Sequence, residues 1–267
     1  MQSLNKIKHG LSILALAFSA QSALAADGWQ INPLGSGASG ASAVSTLNVG
    51  GIGFVQMLPD AINPGIFTFI EHGAYQAFSP GSSSPFAGNE ITVSYSVSGS
   101  GSIVDPSALR LTTGKIELFS DSNRDFGSMA TNYGADNGIH IASFDVTYGY
   151  PANSQGLVVV NAVGVVGSFA SGYLFNSAGT DLATLSNIQL QLTLFNQQID
   201  ADGPMIAGVA CGLAEACPEG KFAPSPLAFT VQDSGSVSIS AVPEPESAAM
   251  LLAGLGLLAG VARRRRG

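Results

Sequence analysis

The chain has 267 residues and a formal net charge of −8, with 10% of its residues charged and 46% apolar. From residue 26 to residue 242, four basic residues (Arg110, Lys115, Arg124, Lys221) face sixteen Asp and Glu, a balance of −12. That balance argues against a nucleic-acid partner, because a polyanion is repelled and there is no basic stripe to release its counterions. Gly, Ser, Ala, Thr and Asn between short apolar segments are the composition of an all-β globular body, not of a disordered chain.

At the N-terminus Lys6 and Lys8 precede an apolar run from Leu11 to Phe18, and Ala23-Leu24-Ala25 follows. The pattern predicts a secretory signal peptide over residues 1–25, cleaved between Ala25 and Ala26 with small residues at Ala23 and Ala25. The apolar run is well short of the roughly 20 residues that span a bilayer.

The body is expected over residues 26–235. A Gly/Ser/Ala stretch, Ser36 to Ser45, reads as an extended edge or a flexible lead-in. Further on, Ile91, Val93, Tyr95 and Val97 alternate with Thr92, Ser94, Ser96 and Ser98, a strand with one buried and one wet face. The same period recurs at Ile188, Leu190, Leu192 and Leu194 and at Val237 and Ile239, with shorter examples at Phe67-Phe69, Leu109-Leu111, Ile116-Leu118 and Ile139-Ile141. Leu157 to Phe169 is more evenly apolar, a strand buried on both faces or two strands bent at Gly164 or Gly167. Turns are expected at Asn63-Pro64-Gly65, Ser79-Pro80-Gly81, Ser98-Gly99-Ser100-Gly101, Thr113-Gly114 and Asp136-Asn137-Gly138. About ten to twelve short strands at this spacing predict a single antiparallel β-sandwich or jelly-roll-like body, with the last strand and a short linker at 236–242.

Cys211 and Cys217 are the two cysteines, and in an exported protein they are expected to pair, Gly212 helping the short loop close. His72 and His140 stand in no metal-ligand pattern and read as structural or solvated. The segment Asp121-Ser122-Asn123-Arg124-Asp125 places three oxygen-bearing side chains at alternate positions. It reads first as a turn, with calcium on Asp121, Asn123 and Asp125 as the alternative. Phe126 stands where an EF-hand loop needs glycine, and Asn132 where it needs a bidentate glutamate. No Gly-x-Ser-x-Gly elbow occurs. Nor does anything single out one pair among the many carboxylates for glycosidase chemistry, so no catalytic residue is assigned.

The C-terminus is a three-part segment over residues 243–267. Pro243-Glu244-Pro245 cannot continue a sheet or helix. Ser247 to Ala262 gives sixteen uncharged residues, a short transmembrane helix about 24 Å long against a hydrocarbon core of roughly 30 Å. Arg263, Arg264, Arg265 and Arg266 follow and are expected to stay cytoplasmic, leaving the body outside the inner membrane.

These three parts together resemble the PEP-CTERM sorting domain of Gram-negative bacteria. The resemblance implies recognition by an exosortase, a transient hold in the inner membrane, and delivery of the body to the cell surface or extracellular matrix. Asn48 to Gln56, Phe69 to Gln76, Tyr133 to Gly138 and Ile141 to Asp145 are similar to the flocculation-associated PEP-CTERM proteins of floc-forming bacteria. That second likeness implies a non-enzymatic component of flocs or biofilms that works with exopolysaccharide. It supplies no catalytic residues. The alternative is a carbohydrate-binding surface module whose exposed aromatics, among Trp29, Tyr75, Tyr148, Tyr150 and Tyr173, stack on sugars; an envelope hydrolase ranks below both.

Overall fold

In the computed structural model, residues 28–129, 131–151, 157–165, 167–186, 188–212, 217 and 227–241 are described. The expected signal cleavage at Ala23, Ala25 and Ala26, the Pro243-Glu244-Pro245 motif, the transmembrane helix and Arg263 to Arg266 lie outside the described residues. No helix among the described residues is long and apolar enough to cross a membrane.

The alternating runs form long strands. β1 (Trp29–Ile31) and β2 (Ser42–Val44) are short; β3 (Leu47–Pro59), β4 (Ile66–Ala77), β5 (Glu90–Ser102), β6 (Arg110–Asp121) and β7 (Ile139–Pro151) are not. β8 (Leu157–Gly164) and β9 (Leu174–Asn176) precede β10 (Ile188–Ile199) and β11 (Ala228–Ala241), with a short helix, α1 (Gly203–Gly208), between the last two. Asp202 starts α1, its carboxylate accepting from the Met205 amide at 2.9 Å, with Pro204 in the first turn.

Eight of these strands close into a barrel in the order β10-β11-β3-β4-β5-β6-β7-β8. This overturns the expected sandwich or jelly roll. Period-two alternation reports that one face of each strand is buried, and both architectures satisfy it. What decides between them is whether the last strand finds the first, and here β10 pairs with β8 on one side and β11 on the other. Closure leaves no barrel strand with an unpaired edge. Register shifts at Ser98/Gly99, Leu118/Phe119 and Val146/Tyr148 lie along the wall, where bulges supply the curvature that closure needs.

The register identifies the faces. Asp233, Gly51, Tyr75, Val93, Leu118 and Ala142 are successive cross-strand partners from β11 to β7 and share the inner face. Ile188, Leu190, Leu192 and Leu194 complete the interior from β10. Thr92, Ser94, Ser96 and Ser98 alternate to the outside. The second sheet, β2-β1-β9, contributes Trp29, Ile31, Val44 and Leu174 to the same core cluster, and the Pro33 carbonyl accepts from Ser120 Oγ at 2.6 Å.

Two of the expected turns are strand instead. Ser98 to Gly101 lies within β5, where a Cβ on Gly99 or Gly101 would stand 2.6 Å from the ring of Phe69 or Phe67. These glycines seat aromatic rings on the neighbouring strand. Thr113-Gly114 likewise lies inside β6. Ser36 to Ser45 holds the 3-10 turn Ala38–Gly40 and the edge strand β2, and the apolar run from Leu157 stays a strand as far as Gly164.

Candidate functional site

Tyr148 and Tyr150 follow from the same period of two. Two positions apart on β7, they share the outer face and remain 53% and 41% exposed. Their rings lie 7° from parallel with centroids 6.3 Å apart. They flank an open cleft of about 500 Å³ that also receives Ser107, Arg110 and Leu111. The Arg110 guanidinium is held at the rim by the carbonyls of Ser107 and Leu109. Across the wall, Tyr148 pairs with Asn161 and Asn161 with Gln191, so a row of amides continues the aromatic ledge. The other three aromatics named for sugar contact are elsewhere: Trp29 and Tyr75 are buried in the core and Tyr173 packs against it.

Carboxylates gather at a second place. Glu90 opens β5 and Asp121 ends β6, and the two are directly opposed in the ladder on the outer face. Asp125 joins them from the loop after β6, one oxygen of each acid lying within 4.8 Å of the others. Glu90 accepts from Gln76 Nε2 at 2.5 Å and from the Phe126 amide at 3.0 Å. Asp121 Oδ1 accepts from the Asn123 amide at 2.9 Å, and Asp125 from Asn137 Nδ2 at 2.9 and 3.1 Å. The fold thus brings together two of the three residues expected for calcium. Asn123 is exposed and contributes its backbone amide to the turn, so the turn reading holds as well. Glu90 went unrecognised because it lies far upstream; its signal was an acid at the mouth of an alternating strand.

A third group faces inward. Tyr75 Oη donates to Asp233 Oδ2 at 2.9 Å inside the barrel, and the Tyr95 ring lies 6.3 Å from that of Tyr75. Burial pushes the Glu71 carboxyl up to about 8, aided by the charge of Asp233. Burial also raises Asp233 to about 7, opposed by the hydrogen bond from Tyr75. Both tyrosine hydroxyls are driven well above their ordinary range, first by burial and then by these two acids.

On the outside of β3 and β4, Ile52, Phe54 and Ala74 form a satellite core with Ala135, Val209 and Ala210, Tyr133 packing against it. Residues from Asn48–Gln56, Phe69–Gln76 and Tyr133–Gly138 meet there. His72 lies on the same side of β4, its Nε2 3.2 Å from Ser96 Oγ, and burial depresses its pKa. His140 Nε2 is 3.5 Å from Glu117 Oε1, and its ring meets the Phe119 ring edge-on. Cys211 and Cys217 are joined as a disulfide, as their spacing suggested.

Residues 241–266 match the PEP-CTERM protein-sorting motif. The chain carries a PEP-CTERM sorting signal. That signal indicates an exported protein processed by an exosortase through its C-terminus. No curated protein and no solved structure matches the chain.

Proposed function

We propose that this is a non-enzymatic component of the cell surface or extracellular matrix, released from its leader by signal peptidase, that contacts exopolysaccharide and supports flocculation or biofilm assembly. The observation that carries the reading is the ledge of Tyr148 and Tyr150. Exposed rings present apolar faces to the C–H faces of sugars, while their hydroxyls, Arg110 and Gln191 offer hydrogen bonds to sugar hydroxyls. An open ledge suits a long polymer that passes across it better than a small molecule enclosed on all sides.

Titrating the purified full chain with the producing cells' own polysaccharide tests this. Saturable binding is expected, weakened about tenfold or more by Tyr148→Ala with Tyr150→Ala, which corresponds to about 1.4 kcal/mol. Equal binding by that double variant would sink the ledge. Cells lacking the chain should still make polysaccharide but fail to form flocs. Binding in vitro with normal flocs in those cells would favour the second reading, a carbohydrate-binding surface module without a flocculation role.

A further inference from the structure

We propose that Glu90, Asp121 and Asp125 form a binding site for a hard divalent cation, calcium, on the outer wall of the barrel.

The argument begins with the ladder. Like charges directly opposed across an antiparallel pair repel, and Glu90 and Asp121 are so opposed while only 1% and 3% exposed. Asp125 adds a third carboxylate within 4.8 Å. Buried charge of one sign requires a counterion or exceptional hydrogen bonding. Among the described residues, no lysine, arginine or histidine forms an ion pair with any of the three. Arg124, the nearest cation in sequence, directs its Nη1 to the Gly88 carbonyl at 3.2 Å.

An independent observation concerns Asp121 alone. Its Oδ1 is occupied by the Asn123 amide, but Oδ2 is buried with no hydrogen-bond partner among the described residues. A carboxylate oxygen so placed, beside two more carboxylates, lacks a positive partner. The donor set is entirely oxygen, with no histidine or cysteine, which selects calcium or magnesium over zinc or copper. Three carboxylates from two strands and a loop suit the larger, geometrically tolerant ion better than octahedral magnesium.

The test uses the purified full chain stripped with EDTA and titrated with calcium chloride by calorimetry, with thermal melts alongside. Saturable calcium binding is expected, with a melting temperature higher by roughly 5 °C at a hundredfold excess over Kd and a smaller response to magnesium. Asp121→Asn should weaken calcium binding by about tenfold or more. If that variant does not fold, Asp125→Asn, at a less buried position, should do the same. Absence of a calcium heat and of a melting shift in the unaltered chain overturns the site, as does equal calcium affinity in the variants. Saturation by magnesium with no response to calcium overturns the choice of ion.

Discussion

Glu71 and Asp233 face into the barrel, whereas Glu90, Asp121 and Asp125 crowd its outer wall under the loop that follows β6. Both groups place carboxylates where water is scarce, but their surroundings differ. The inner pair is embedded among Leu, Val and Ile side chains with Tyr75 as hydroxyl donor, and burial raises the pKa of both its carboxyls. The outer group has three acids from three segments, backbone amides from a loop, and an oxygen of Asp121 without a partner. Proton uptake suits a closed apolar interior; cation uptake suits an outer wall bordered by a loop.

The largest test of this contrast is pH. Glu71 and Asp233 are raised in the native state from ordinary values of 4.5 and 3.8 to about 8 and about 7. A carboxyl raised on folding makes the native state bind more protons than the unfolded one between those values, so stability falls as pH rises through that window. Between pH 5 and pH 9 we expect a loss on the order of 5 kcal/mol, read by urea unfolding at fixed ionic strength. Glu71→Gln should flatten most of that slope. A stability independent of pH would remove the inner pair from the comparison.

Next in size is Gly73→Ala. A Cβ there would stand 2.3 Å from Tyr75 Oη, so the ring must leave its seat and Asp233 its donor. A loss of about 3 kcal/mol is expected, seen as a lower denaturation midpoint. Tyr75→Phe keeps the ring and removes only the hydroxyl, at a cost of about 2 kcal/mol. If Gly73→Ala and Tyr75→Phe cost the same, the seat itself contributes nothing. The smallest effect belongs to the outer surface: Tyr148→Ala should change stability by less than about 0.5 kcal/mol while weakening polysaccharide binding. A large loss of stability there would show that the ledge is a packing feature.

The sequence showed much of the wall and little of its closure. Ile91 to Val97 and Ile188 to Leu194 were legible as strands because alternation is written into neighbouring residues. The glycines at 99 and 101 misled, since a glycine in sequence signals a turn and a seat for an aromatic ring equally well. Asp121 and Asp125 were recognisable as a cluster because they are local. Glu90 was not, since its place opposite Asp121 depends on the register of β5 against β6. Likewise Trp29 and Tyr75 could not be told from Tyr148 and Tyr150 until the inner and outer faces were assigned.

By itself the sequence determined that the body is β, that two cysteines six positions apart in one short segment would pair, and that the C-terminus is a PEP-CTERM sorting signal. Each of these rests on residues close together in the chain. Only the tertiary structure decided that the sheet closes into a barrel, that Glu71 and Asp233 share its interior, and that Glu90 joins Asp121 and Asp125 outside. Those outcomes depend on pairing between distant strands, β10 with β8 and β11 with β3, and that pairing comes from burying one common core.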